Sequence, residues 1–130
     1  GDLKLNFTYP EGELPTITTK LDLSTAVNTV TYKIGDTEYT RQSIASNPDD
    51  VIAMYITASR PEAITMELEL NLLRNAEVIA SGNQLIYTGN AEFEKHGRGG
   101  VLFEGRIAVE IKGGTSKPTE RNSSSTRQRK

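Results

Sequence analysis

The 130-residue chain has no cysteine and no tryptophan, and its single histidine is His96. Without cysteine there is no disulfide, no thiolate metal ligand and no cysteine nucleophile. A single histidine makes a catalytic triad unfavourable and is too few for a histidine-rich metal site. No run of about 18 apolar residues occurs, so the sequence predicts no membrane-spanning helix. We therefore expect no metal, no cofactor and no membrane partner, and any function falls to carboxylates, amides, hydroxyls and tyrosine rings.

Charge is distributed unevenly along the chain. Residues 115–130 hold five basic residues and one acidic residue, a net charge of +4, so residues 1–114 carry −6 within the total of −2. This C-terminal segment has no aromatic ring for base stacking and no helical periodicity. Its composition favours a disordered basic tail over a nucleic-acid-binding arm. We therefore predict one folded domain over residues 1–114, a tail over 115–130, and no nucleic acid as partner.

Residues 20–50 carry the clearest structural pattern. They read as three short strands, because apolar and polar residues alternate with the period that a half-buried strand needs. Gly35 and Asp36 interrupt the alternation, as a hairpin turn with positive φ would. The alternation is carried by Leu21 and Leu23 in the first strand and by Val30, Tyr32 and Ile34 in the second.

The remaining segments are also predicted to be strands. Residues 51–58 are apolar on both faces, which is typical of an inner strand covered on each side. Residues 64–72 suit a helix by composition, but their strict alternation favours a strand. Residues 77–80 and 84–88 flank a Ser-Gly-Asn turn, and alternation returns over 101–112. The sequence therefore predicts an all-β fold, an antiparallel β-sandwich.

Several of these segments together resemble a known domain. They are Leu-Asp-Leu at 21–23, Val-x-Tyr-x-x-Gly at 30–35, Tyr-Thr-Arg at 39–41 and Ser-Asn-Pro-Asp-Asp-Val-Ile at 46–52, with Gly-Asp-Leu-Lys-Leu-Asn-Phe at 1–7. The pattern resembles the N-terminal β-sandwich domain of glycoside hydrolase family 95, the α-L-fucosidases. The likeness covers residues 1–114 and is a pattern of strands and turns rather than a chemical motif.

The resemblance implies a non-catalytic domain. In that family the catalytic groups lie in a separate (α/α) barrel, and no family catalytic residue maps onto this chain. It implies a partial, super-sandwich-like domain of a secreted glycoside hydrolase, with the missing barrel as partner. A fucosylated glycan is a second partner to expect. Whether the chain has activity stays open, and we expect it to be inactive alone. The alternative is an autonomous carbohydrate- or protein-binding module.

No carboxylate is singled out by its surroundings. Glycoside hydrolysis needs two carboxyl groups held across the scissile bond. The close acidic pairs read as solvated strand faces or turn residues, and His96 beside Gly-Arg-Gly-Gly reads as a flexible hairpin loop. We therefore predict no catalytic residue. The pairs considered are Glu67 with Glu69, Glu92 with Glu94, and Asp49 with Asp50.

Tyrosine rings are the candidates for sugar contact, because exposed aromatic faces stack on pyranose rings. We predict that Tyr9 and Tyr87 are the possible glycan contacts. Tyr32 and Tyr55 are assigned instead to cores or cross-strand pairs.

Overall fold

A computed structural model of the chain describes residues 1–12, 15–72, 76–91 and 100–117. It contains nine strands in these residues and no helix. The predicted tail falls largely at residues 118–130, which lie outside the described part. The strands are β1 (Asp2–Thr8), β2 (Ile17–Asp22), β3 (Val27–Ile34), β4 (Thr37–Ser46), β5 (Val51–Ala58), β6 (Thr65–Asn71), β7 (Ala76–Ser81), β8 (Gln84–Ala91) and β9 (Val101–Ala108).

The strands form three sheets. One has the order β2-β3-β4-β5, another β7-β8-β9, and β1 pairs with β6. Every neighbouring pair within the first two sheets is antiparallel. The predicted all-β antiparallel class, that of the β-sandwich, is confirmed. The strand interpretation of residues 64–72 is confirmed too, since β6 occupies most of them.

The chain divides into two compact units, one formed by Leu5–Leu68 and the other by Gly1–Lys4 with Glu69–Lys130. The first unit holds the four-stranded meander. Its best buried side chains are Tyr32 and Tyr39, at 4% and 2% exposure. These tyrosines lie directly opposite one another on β3 and β4, so their rings share one face of the sheet.

Tight turns set the register of this meander. Gly35 has φ of +58° between β3 and β4, as the predicted hairpin requires. The β2–β3 turn is held by Asp22, whose Oδ1 accepts hydrogen bonds from Ser24 N at 2.9 Å and Ser24 Oγ at 2.7 Å. These hydrogen bonds lower the pKa of the Asp22 carboxyl. Ala26 closes the same turn with φ of +57°, a left-handed conformation that disfavours a Cβ.

The second unit holds the meander β7-β8-β9. Gly82 has φ of +59° in the β7–β8 turn, which confirms the predicted Ser-Gly-Asn hairpin. Tyr87 and Gly105 lie opposite one another, and a Cβ at Gly105 would come within 2.0 Å of the Tyr87 ring. Glycine at 105 therefore allows the tyrosine to lie across β9. Asn83 Nδ2 donates to Val109 O at 2.7 Å and fixes the chain after β9.

The prediction that residues 51–58 form an inner strand covered on both sides is wrong. β5 is the last strand of its sheet, and its first five residues are exposed. Ile52 is 84% exposed and Tyr55, on the opposite face, 60%. An apolar sequence shows only that burial of its side chains would be favourable. Whether they are buried depends on which other elements pack against the strand. Tyr55, assigned to a core or cross-strand pair, is exposed rather than in the core, and it lies directly opposite Gln42 on β4.

Candidate functional site

Four aromatic rings and Arg41 form a cluster in the unit formed by Leu5–Leu68. The Arg41 guanidinium carbon lies 5.1 Å from the centroid of the Phe7 ring and 5.1 Å from that of the Tyr32 ring. Tyr32 stacks on Tyr39, with centroids 5.3 Å apart and planes 11° from parallel. Tyr9 stands edge-on to both tyrosines. We call Phe7, Tyr9, Tyr32, Tyr39 and Arg41 the aromatic cluster.

Strand alternation explains how these side chains meet. Tyr39 and Arg41 are two residues apart on β4 and therefore share a face. Phe7 and Tyr9 have the same spacing, with Phe7 inside β1 and Tyr9 just after it, and their rings stack with centroids 5.8 Å apart. The cluster thus joins the end of β1 to the centre of the four-stranded sheet.

The hydroxyl groups of Tyr9 and Tyr32 share a hydrogen bond. Burial raises the pKa of the Tyr9 hydroxyl well above its usual range, and the bond to Tyr32 raises it further, whereas the nearby charge of Arg41 opposes the shift. Tyr39 donates its hydroxyl hydrogen to the carbonyl of Ala63 at 3.3 Å. The Tyr9 hydroxyl is therefore a neutral hydrogen-bonding group at physiological pH.

Arg41 makes no ion pair with any residue in the described ranges, and its buried Nε has no hydrogen-bond partner there. Its observed electrostatic support is cation–π contact with two rings, those of Phe7 and Tyr32. No carboxylate joins the cluster, so it lacks the paired acid and base that glycoside hydrolysis needs. The cluster is built to hold strands together.

The two tyrosines predicted as glycan contacts lie in different environments. Tyr9 is half-buried in the aromatic cluster, with its hydroxyl occupied by Tyr32. Tyr87 is also half-buried, close to Phe103 with ring centroids 6.5 Å apart. Tyr9 belongs to the unit formed by Leu5–Leu68, and Tyr87 belongs to the other unit. Contact with a glycan stays a prediction for both.

The acidic residues occupy turns and surface networks. Asp49 bonds Ser46 Oγ at 2.5 Å and shapes the β4–β5 turn, as predicted for a turn residue. With its amide oriented to satisfy both neighbours, Asn71 donates to Glu69 at 3.3 Å and accepts from Lys4 at 3.1 Å. Glu92 and Glu94, interpreted as a solvated strand face, and His96, interpreted as part of a hairpin loop, lie outside the described residues.

Within the described ranges, no group of three or more His, Cys, Asp or Glu side chains is placed to hold a metal. The same ranges contain no helix that is long and apolar enough to cross a membrane.

On the face of the four-stranded sheet opposite Tyr32 and Tyr39, two adjacent rows are polar, whereas the next row places Ile44 opposite Ala53. Residues 18, 31, 40 and 57 are threonines directly opposite one another across all four strands. In the adjacent row Thr29 lies opposite Gln42, and Gln42 opposite Tyr55. We call six of these seven residues, all except Thr18 on the edge strand β2, the hydroxyl face: Thr29, Thr31, Thr40, Gln42, Tyr55 and Thr57. Sequence reasoning missed this face, although the period-two positions of its threonines were the available signal.

The sequence matches the profile described as "Glycosyl hydrolase family 65, N-terminal domain" over residues 1–128. It is also similar to a curated protein of Arabidopsis thaliana, "Alpha-L-fucosidase 2", with 33% identity over 94 residues. That alignment covers 69% of this chain and 11% of the relative. The chain thus spans about a ninth of the curated relative that it matches.

Proposed function

Because the chain belongs to the family of glycosyl hydrolase family 65 N-terminal domains, we propose that it supports the catalytic domain of an α-L-fucosidase-like glycoside hydrolase without taking part in the chemistry. The prediction that the chain is the N-terminal domain of a glycoside hydrolase is confirmed. The matching profile carries the family number 65, whereas the residue pattern resembled family 95. In the proposed role the chain packs against an (α/α) barrel and holds it in its active form.

One observation carries this proposal. The sheet face that bears Tyr32 and Tyr39 stays apolar beyond the buried centre, at positions where the side chains are exposed. Exposed apolar side chains grouped on one face favour a covering partner. A catalytic domain of the same protein would supply that cover. The large hydrophobic side chains exposed on this face are Ile17, Leu21, Ile52 and Met54.

The site chemistry supports a non-catalytic role. The aromatic cluster lacks a carboxylate, and the acidic groups described above serve turns and surface networks. We therefore expect the purified chain not to hydrolyse an aryl α-L-fucoside. Turnover that one Asp or Glu substitution abolishes would contradict the support role.

The partner can be tested by adding a purified (α/α) barrel domain of an α-L-fucosidase-like hydrolase in trans. Alone, the chain is expected to self-associate in sedimentation experiments as its concentration rises. With the barrel it should form a heterocomplex and unfold at a higher temperature, because a ligand that binds the folded state stabilises it. A chain that stays monomeric and does not bind the barrel would contradict the proposal and favour an autonomous binding module.

A matched pair of variants locates the contact. Met54 and Ala53 are neighbours on β5 whose side chains project to opposite faces of the sheet, and both are exposed. Met54→Asp should weaken the heterocomplex, since it places a charge on the apolar face. Ala53→Asp should leave it unchanged. Equal effects would show that the apolar face is not the contact.

We also propose that the protein is secreted. The sequon Asn6-Phe7-Thr8 supports this, because Asn6 and Thr8 are exposed on the side of β1 opposite Phe7, where a glycan would not disturb the aromatic cluster. The second sequon, at Asn122, lies outside the described residues. Antibody detection of the protein in culture medium and in cell lysate tests the proposal; retention within cells would contradict it.

A further inference from the structure

The hydroxyl face points to a second role, and we propose that it is a binding platform for a neutral oligosaccharide, with Tyr55 as the stacking ring. This inference goes beyond the support role and is independent of it, because the platform and the apolar face lie on opposite sides of the same sheet. A domain could therefore hold a barrel on one side and a glycan on the other.

The geometry of the sheet puts hydrogen-bonding groups in regular rows. Thr31, Thr40 and Thr57 lie directly opposite one another on β3, β4 and β5. Neighbouring strands are about 4.8 Å apart, so the hydroxyls form a row at that spacing. Each threonine hydroxyl can donate one hydrogen bond and accept two, and the Gln42 amide can do both. Sugar hydroxyls offer the same mixture of donors and acceptors.

These groups are free to bind. No side chain of the hydroxyl face makes a hydrogen bond, ion pair or ring contact with another residue in the described segments. Gln42 and Tyr55 are exposed, and the four threonines are half-exposed. A ligand can therefore form hydrogen bonds with these groups without breaking a contact among the described segments.

The charges on this side of the sheet exclude other classes of ligand. Lys33 lies directly opposite Glu38 across β3 and β4, so these two charges offset one another. Lys20 is the remaining cation near the two rows, at the β2 edge. A nucleic acid or acidic polysaccharide would need several cations in a stripe. A protein partner would favour apolar residues at the centre of the contact, where these two rows have hydroxyls and an amide. An uncharged polyhydroxyl ligand fits best.

Tyr55 supplies the apolar contact that a sugar also needs. Its ring is 60% exposed, directly opposite Gln42 and two residues from Thr57. Stacking on the apolar side of a pyranose would let the ring's neighbours reach the sugar's hydroxyls. The same side of the sheet therefore combines one aromatic ring with hydrogen-bonding groups on three adjacent strands.

The experiment titrates the full chain with three neutral probes, cellopentaose, maltopentaose and 2′-fucosyllactose, and follows the backbone amides by two-dimensional NMR. At least one sugar should shift the amide signals of Thr40, Gln42 and Tyr55 in a saturable manner. Tyr55→Ala should weaken that binding about five-fold, since a stacked ring is lost. Tyr55→Phe should retain it.

Ile52→Ala is the matched control, because Ile52 lies on the same strand but on the opposite face and is exposed. It should leave sugar binding unchanged, and circular dichroism should show all three variants folded. Failure of all three sugars to bind, or saturable shifts confined to other strands, would overturn the proposal and leave the face as ordinary solvated sheet surface. The barrel titration reports separately on the support role.

Discussion

Tyr32 and Tyr39 lie opposite one another on adjacent strands and stack with their ring centroids 5.3 Å apart, and no other hydrophobic side chain in the described ranges is as fully buried. One cross-strand aromatic pair thus forms the centre of the core of this unit. Aromatic pairs of this kind add stability beyond the area that they bury.

Truncation of Tyr39 should destabilise the unit strongly. Tyr39→Ala removes a buried ring together with its stacking contact to Tyr32. We therefore expect a loss of about 3 kcal/mol in the free energy of unfolding. Urea denaturation followed by circular dichroism measures it. Tyr55→Ala serves as control: the same change at an exposed site should cost about 0.5 kcal/mol. Similar losses for both would contradict the central place of the pair.

Arg41 variants should separate the charge of its side chain from its planar shape. Arg41→Lys loses the flat guanidinium that contacts two rings, so we expect a loss of about 1 kcal/mol in the free energy of unfolding. Arg41→Met removes the buried unpaired Nε while it retains apolar packing, so its stability should lie within about 1 kcal/mol of the parent. A Lys variant clearly more stable than the Met variant would show that charge dominates.

Tyr9 should make the protein sensitive to alkaline pH. Its pKa is raised in the folded state, chiefly by burial, so its contribution is fully present below the unfolded pKa of about 10 and is lost as pH rises above that value toward the folded pKa. The urea midpoint should therefore fall between about pH 10 and pH 11.

The matched variant is Tyr9→Phe, which lacks both the titrating group and the hydrogen bond to Tyr32. It should start about 1 kcal/mol less stable at neutral pH and lose less of its stability on the way to pH 11. Parallel pH curves for the two proteins would contradict the assignment, because lysines and other tyrosines titrate in both.

Replacing alanine by glycine in one turn of the four-stranded sheet, and glycine by alanine in another, should change stability in opposite directions. Ala26 and Gly35 have nearly the same positive φ, 57° and 58°. Ala26→Gly should stabilise the protein by about 1 kcal/mol, because it removes the Cβ from a left-handed conformation, and Gly35→Ala should destabilise it by a similar amount. A Cβ at Gly35 meets nothing within 4 Å, so backbone strain is the expected cause. Changes of the same sign would contradict this account.

The sequence was enough to predict where the strands lie, but not which strand faces are buried by other elements. Alternation located β3 and β6 because side-chain direction repeats every two residues, and Gly35 marked a turn because it tolerates positive φ. The same reasoning failed for β5, since an apolar run does not reveal whether another layer packs on it. Arg41 was missed because an arginine in a strand is ordinarily a surface residue. The available clue was that Arg41 lies two residues from Tyr39 and therefore on the same face of β4.

The order of the four-stranded sheet has a consequence for the rate of folding. Each strand pairs with its neighbour in sequence, so the meander can form by successive hairpin closures, which take about 1–10 μs each. The bond between Tyr9 and Tyr32, by contrast, joins residues 23 positions apart. Contacts over longer separations carry a larger loop-closure entropy and form more slowly. We therefore expect the docking of β1, rather than assembly of the meander, to limit how fast this unit reaches its native state.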